Sequence, residues 1–448
     1  MGPLNAWEFG TRGNDEPGDH AALAYALAEA GADGRDLYIP GRSRYSLGVY
    51  HTMNTLLVPS GVRVFGDGKR TVLRAHGAAF PGVSSSGGLV CAVLGSIGGA
   101  DVVIEDLAID LATHGTLTNG ISFIPGAAYT GAGPERCAVR RCHVSGSPQH
   151  QYLIWSFNGR DVKIADNYVD GGCVDFATFE DQNGIEIVGG TGAIVTGNSV
   201  RRCANFGIGA IALSGYVSGV DGAIIGGNFI DGCGVGVSLG TATSATTPPQ
   251  DLRNVIVAGN IIRGSNRYGV DVWCPTAGVK MVNALTANNV IDGGKVAVYL
   301  RGHAGDRGHR NVVVAGNVSA GATTTSGADA AIAVTSFHGA TVRDNGVADC
   351  AGAAVRVSFA DDVMVDGNRI ERSGGSAVAG TSSARLAVTD NRLVAPATDG
   401  TTWGIAVTAI SDSLARGNVS DQAGPKATPL VTGDRNLVAD NVTILGAS

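Results

Sequence analysis

From residue 160 onward the chain repeats one short phrase, an alternating apolar stretch that ends in Gly-Asn or Asp-Asn, as in VKIADN, AIVTGN, AIIGGN, VIVAGN, VVVAGN, VMVDGN and LAVTDN. The asparagines fall at Asn167, Asn198, Asn228, Asn260, Asn289, Asn317, Asn345, Asn368, Asn391, Asn418 and Asn441, at intervals of 23 to 32 residues. A unit of that length cannot bury its own apolar face and must stack on the next, which is the signature of a solenoid. A second alternating segment follows within the units: GIEI at 184–187, GVSL at 236–239, GVDV at 269–272, AVYL at 297–300, AIAV at 331–334 and AVRV at 354–357. A period of two sends one set of side chains into a core and the other to the outer surface. No amphipathic stretch of helical length separates these strands, so a doubly wound sheet or an α/β barrel is disfavoured and the strands are expected to wind as coils.

The asparagine column is read as structural, because Asn accepts left-handed turn geometry and stacked amides can hydrogen-bond along an axis. Cys173, Cys203 and Cys233 recur in phase with it, as does Cys350, and are expected to be buried free thiols rather than disulfides. The first segment reads differently. Residues 17–34, PGDHAALAYALAEAGADG, carry helical apolar spacing, an Asp near the start and a Gly at the end. A helix there would cover the open first coil, whose core and strand edges would otherwise meet water.

The opening stretch, with Phe9-Gly10, the acidic loop Asp15 to Asp19, the helical segment, Tyr38-Ile39-Pro40-Gly41 and Val64-Phe65-Gly66, resembles the start of the pectate-lyase-like β-helix superfamily. The resemblance covers residues 8–72, and the coil repeat carries it to about 442. It implies an all-β fold, a right-handed parallel β-helix (solenoid) with an N-terminal capping α-helix. One domain spanning 1–448 is expected, with cap and first coils at 1–72 and stacked coils at 73–448. It implies a reaction far less firmly, since the superfamily holds glycoside hydrolases, polysaccharide lyases, epimerases, fructan transferases and phage tail spikes. The Asn-Thr-Asp, Asp-Asp and Gly-His-Gly motifs of polygalacturonases are absent. Tyr268-Gly269-Val270-Asp271 resembles the start of the alginate epimerase motif, but Trp273 stands where that family has His.

Composition narrows the partners. With 68 glycines, 14 prolines and no Gly-X-Y period the chain is turn-rich and neither collagen nor disordered. The net charge is −7, and Lys69, Lys163, Lys280, Lys295 and Lys426 are its only lysines, so no basic stripe for nucleic acid is present. No apolar run approaches a membrane span, and MGPLNAWEFG lacks the basic and apolar regions of a signal peptide. An extracellular setting is what the resemblance implies. A monomer or homotrimer that meets a polysaccharide or oligosaccharide, and no nucleic acid or membrane, is the expected assembly.

Outward positions of the alternating segment are expected to form a column of Ser122, Ile154, Glu186, Ser238, Asp271, Tyr299, Ala333 and Arg356, with Trp273 and Arg301 one pleat further along. Aromatic rings stack on the apolar faces of sugars and carboxylates handle protons. The same residues also fit a plainer arrangement in which Tyr299 and Trp273 cover the sheet and Asp271 pairs with Arg301. The densest acidic run, CVDFATFEDQNGIEI, holds Asp175, Glu180 and Asp181 in a loop just before the strand of Glu186. Glycosidic cleavage takes two carboxyl groups, about 5.5 Å apart for retention and up to about 9.5 Å for inversion. Glu186 and Asp271 lie three coils apart, roughly 14 Å at about 4.8 Å per coil, too far to be one pair. Glu186 with Asp175, or with Glu180 or Asp181 in its place, is therefore the expected catalytic pair. Asp271, Trp273, Tyr299, Arg301, Trp155 and Arg356 are the expected substrate-binding residues.

The nine histidines, among them His143, His150, His303, His309 and His338, are scattered without the close spacing of a zinc site. No metal or other cofactor is expected, although acidic loops could hold calcium. The leading expectation is a glycoside hydrolase or transglycosylase. A polysaccharide lyase or uronate epimerase is an alternative, and scarce lysine counts against a uronate lyase, which must neutralise a substrate carboxylate. A phage or surface polysaccharide-binding spike is the alternative from another class.

Overall fold

The computed structural model describes residues 2–42, 46–77, 83–85, 88–90, 92–111, 119–126, 133–146, 152–176, 182–213, 219–242, 250–303, 308–323, 330–396, 403–421 and 429–443. Apart from the α-helix Asp19–Asp33 and a short 3-10 turn, the regular structure among the described residues is strand, and all but one short antiparallel hairpin pair in parallel with their equivalents one coil on. The fold is a right-handed parallel β-helix. Cα proximity groups the chain into two compact units, residues 1–234 and 235–448.

In the first unit a typical coil consists of the strands Asn183–Thr191, Ile194–Thr196 and Ser199–Arg201. Ile194–Thr196 pairs with Lys163–Ala165 on one side and Ile224–Gly226 on the other. Ser199–Arg201 likewise lies between Tyr168–Asp170 and Phe229–Asp231. The α-helix Asp19–Asp33 packs Leu23, Ala26, Leu27 and Ala30 against the strands Gly48–Thr52 and Leu56–Leu57, as the sequence predicts. Asp19 does not cap the helix. Its carboxylate instead accepts the backbone N–H of Arg12 at 2.6 Å and of Gly13 at 3.3 Å, fixing the loop that leads in.

The second unit repeats the plan, with Tyr268–Cys274, Met281–Ala287 and Val290–Asp292 forming one coil. Met281–Ala287 pairs with Arg310–Ala315, and Val290–Asp292 with Val318–Ala320. Its coils shorten toward the C-terminus, where neighbouring asparagines stand 23 residues apart.

Within each unit the asparagines form a ladder. Asn198 Oδ1 accepts the backbone N–H of Asn167 at 3.0 Å and its Nδ2 at 2.9 Å, while Asn198 Nδ2 donates to Ile164 O and to Asn228 Oδ1, both at 3.0 Å. In the second unit the same pattern runs from Asn260 through Asn289, Asn317, Asn345, Asn368, Asn391 and Asn418 to Asn441. The left-handed residue is not the asparagine, as the sequence suggested, but the one before it. Asp166 has φ 57° and Gly197 φ 67°. Gly or Asp makes the turn, which leaves the Asn side chain free to point inward and bond. Cys142 ends the ladder, its N–H donating to Asn167 Oδ1 at 2.9 Å. Among the described residues seven cysteines, including Cys173, Cys203, Cys233 and Cys350, are buried free thiols.

Candidate functional site

In the first unit the strand Asn183–Thr191 runs beside Tyr152–Arg160 and Phe206–Leu213. Ile185 and Ile187 fill the coil interior, which puts Glu186 on the outer face of the sheet. Trp155 is its partner in the preceding coil and Gly209 in the next. The expected column is corrected here by one residue. Ile154 pairs with Ile121 and Ile185 and is wholly buried, and Trp155 takes the outer place between Ser122 and Glu186. In LIWSF the outward set Leu153, Trp155 and Phe157 is wholly apolar while the inward set includes Ser156, so alternation did not mark the core face, and a slip of one residue exchanges the faces.

Glu186 is outward by register yet only 5 % exposed. Beside it Trp155, Phe157, Val188, Ile124 and Ala92 make an apolar cluster that Tyr152 and Leu213 cover in part. Trp155 stacks on Tyr152 with ring centroids 4.8 Å apart and meets Phe157 edge-on at 5.3 Å. At 8 % exposure it offers a sugar little of its face. Gly209 gives the carboxylic side chain room, since a Cβ there would sit 3.4 Å from Glu186 Cγ and 3.3 Å from Phe206.

The hydrogen bond that defines this carboxyl group comes from Asn183, whose Nδ2 donates to Glu186 Oε2 at 2.7 Å. Burial pushes the Glu186 carboxyl up to about 7 against the opposing pull of that bond. Among the described residues no neighbouring carboxylate enters into the shift. Asp175 is exposed near the start of the loop between the strands Tyr168–Asp170 and Asn183–Thr191, and its carbonyl accepts a hydrogen bond from Cys173 Sγ at 3.5 Å. Glu180 and Asp181 lie outside the described residues. Gln182 closes the base of the loop, its Nε2 donating to Gly171 O at 2.9 Å and its Oε1 accepting Ala204 N–H at 3.2 Å.

Sequence reasoning passed over Asn183, although the signal was present. Asn-Gly-Ile precedes Glu186 at 183–185 and precedes Ser122 at 119–121.

The second unit carries the other candidates. Asp271, Tyr299, Ala333 and Arg356 pair in succession, and Trp273 pairs with Arg301 one pleat on, as expected. Asp271 is 1 % exposed and receives both arms of Arg301, Nε at 3.0 Å and Nη2 at 2.6 Å. Burial raises the Asp271 carboxyl above its ordinary value although Arg301 pulls it down. Arg301 lies 5.5 Å from the ring centre of Tyr268, 5.7 Å from Tyr299 and 5.8 Å from Trp273. Trp273 donates to Ser238 Oγ at 3.0 Å and leans over Gly240, where a Cβ would fall 2.2 Å from the indole. Tyr299 and Tyr268 pack over an alanine-rich patch of Ala330, Ala333, Ala353 and Ala379. Arg356 is half-buried in the same row. Pairing and covering thus account for much of this set, while the rings of Trp273, Tyr268 and Tyr299 stay half-exposed.

Among the described residues no group of three or more His, Cys, Asp or Glu side chains is arranged to hold a metal ion, and no helix is long and apolar enough to cross a membrane.

No protein-family profile and no characterised protein sequence matches the chain. Solved structures do. The N-terminal fragment of bacteriophage Phi29 gene product 12 aligns over 98 % of this chain and 80 % of its own, with 13 % identity and a TM-score of 0.60. A tailspike protein mutant of E. coli bacteriophage HK620, solved with a pentasaccharide, covers 99 % and 78 % at 13 % identity and a TM-score of 0.56. The catalytic unit of the GH87 α-1,3-glucanase of Streptomyces thermodiastaticus covers 99 % and 70 % at 12 % identity and a TM-score of 0.51. The chain has the parallel β-helix fold. At these identities the likeness to each solved structure is one of fold.

Proposed function

We propose that the protein is a carbohydrate-active enzyme that cleaves or transfers glycosidic linkages of a polysaccharide, with Glu186 as the group that protonates the leaving oxygen. The observation that carries this reading is a carboxyl group on a rigid sheet, buried beside Trp155 and pushed up to about 7. A general acid needs such a value, because it must hold its proton near neutral pH and still release it. Hydrogen-bond geometry in unliganded sites often tightens only with substrate, so the depth of Glu186 is compatible with this role. The second carboxyl is assigned to the loop before the strand, with Asp175 first and Glu180 or Asp181 in its place.

Arg301, Trp273, Tyr268 and Tyr299 favour a second reading, a polysaccharide-gripping protein that does not cut, since half-exposed rings around a fixed guanidinium suit binding. One experiment separates the two. The protein is incubated with a panel of polysaccharides, and reducing ends, absorbance of unsaturated products and bound polymer are measured together. New reducing ends without unsaturation support the hydrolase. Unsaturated products assign a lyase instead, and retention of a polymer without products assigns the spike-like binder.

A further inference from the structure

We infer that Asn183 is the positioning residue of this site: it holds Glu186 by Oε2 and thereby makes Oε1 the oxygen that carries and delivers the proton. The inference rests on the reading of Glu186 as a proton donor and adds which atom of it acts.

The argument begins with the other end of the Asn183 side chain. Its Oδ1 accepts the backbone N–H of Phe206, in the next coil, at 3.2 Å. A backbone N–H can only donate, so the amide orientation is fixed and Nδ2 must face Glu186. The amide therefore presents a donor to Oε2 at 2.7 Å whatever the protonation state of the acid. In the neutral acid the carbonyl oxygen is the better acceptor, and a proton on Oε2 would compete with the Asn183 hydrogen. The neutral form accordingly settles with its proton on Oε1.

A second copy of the device lies in the same unit. Asn119 Oδ1 accepts Tyr152 N–H at 3.1 Å, and its Nδ2 donates to Ser122 Oγ at 3.3 Å. Asn119 and Asn183 are thus one bracket, an amide locked by the next coil's backbone and aimed three residues ahead. At one copy the bracket meets a hydroxyl, and at the other a carboxyl group. Bracing the coil accounts for the first copy fully; the second also dictates the direction of a titrating group.

The test is a pH titration of the full-length protein labelled with 13C in the Glu carboxyls and 15N in the Asn amides, with Glu186→Gln identifying the Glu186 signal. In the unsubstituted protein the Asn183 amide signals should move with the Glu186 midpoint, and those of Asn119 should not. Asn183→Asp keeps an acceptor for Phe206 N–H but replaces the donor with a second carboxylate, and should raise the Glu186 midpoint by about one pH unit or more. Asn183→Ala should raise it as well, and Asn119→Ala should leave it in place. On a cleaved polysaccharide the alkaline limb of kcat/KM should follow the same shift in Asn183→Asp. An Asn183 amide that ignores the Glu186 titration, or a midpoint unmoved in Asn183→Asp, overturns the inference. The first readout needs no variant, so it decides even where a substitution prevents folding. Should Glu186→Gln keep full turnover, the glycosidase reading fails on its own, whatever the titration shows.

Discussion

Glu186 in the first unit and Asp271 in the second occupy the same kind of place, an outward position on the alternating strand of a coil, and both are buried there. Their partners differ. Glu186 is met by a neutral amide at 2.7 Å, and burial leaves it near 7. Asp271 is met by both arms of a guanidinium that remains 41 % exposed. An amide solvates a carboxylate without neutralising it, so the buried acid keeps its proton into the neutral range. A guanidinium favours the charged form and converts the same position into a fixed ion pair. Identical backbone placement thus yields a protonated acid in one case and an ion pair beside aromatic rings in the other, which is the basis of the proton-donor role proposed for Glu186. The donor that meets each carboxyl sets its chemistry: Asn183 of the same strand for Glu186, and Arg301 of the next coil for Asp271.

The strongest way to break this comparison is Glu186→Gln. If Glu186 is the acid, turnover on the cleaved polysaccharide falls on the order of a hundredfold or more while KM changes little. Near-normal turnover, with Asp271→Asn inactive, would move the centre to the second unit. Asp175→Asn should show a loss of the same order, and an unchanged rate would remove Asp175 from the pair.

Next in size is the pH dependence of stability. Glu186 binds its proton more tightly folded, at about 7, than its ordinary value of 4.5. Its contribution is therefore fully present below about 4.5 and is lost as pH rises toward 7, a difference on the order of 3 kcal/mol. Chemical denaturation between those limits should show the decline in the unsubstituted protein and a flatter profile in Glu186→Gln. Equal slopes would mean that Glu186 titrates as an ordinary surface acid.

Arg301→Ala sharpens the other side. It leaves Asp271 buried without its partner and should cost about 3 kcal/mol in urea unfolding, whereas Asp271→Asn, which releases a half-exposed Arg301 to water, should cost clearly less. The smallest effect expected is on binding, where Asp271→Asn should weaken polysaccharide affinity about tenfold through loosened Arg301 and its rings, and lower turnover less. A larger loss in turnover than in affinity would contradict the anchor role.

Much of the fold was legible beforehand because its determinants are local and repeated. The Gly-Asn and Asp-Asn phrase announced both the coil and the ladder, and the helix Asp19–Asp33 carried its own apolar stripe and terminal glycine. The pairing of Asp271 with Arg301 could be anticipated too, since 30 residues is one coil. The site was less legible. The outward phase of LIWSF could not be read because its outward set, Leu153, Trp155 and Phe157, is the wholly apolar one, while the inward set includes Ser156. The loop acids seemed close to Glu186 in sequence, yet Asp175 is exposed and does not contribute to the Glu186 shift. The Asn-Gly-Ile phrase at 183–185 repeats that at 119–121, but the direction of the Asn183 amide was not readable, because it is set by Phe206 in the next coil.

By itself, then, the sequence determined the solenoid, the asparagine ladder and the capping helix, because periodicity, turn chemistry and stacking act between neighbours along the chain or at a constant offset of one coil. Only the tertiary structure decided how deeply Glu186 and Asp271 are buried and that Asn183, held by Phe206 of the next coil, turns its donor to Glu186. Burial and hydrogen-bond partners depend on side chains brought together from different coils at specific distances, and a carboxyl group's proton affinity responds to those distances rather than to its position in the repeat.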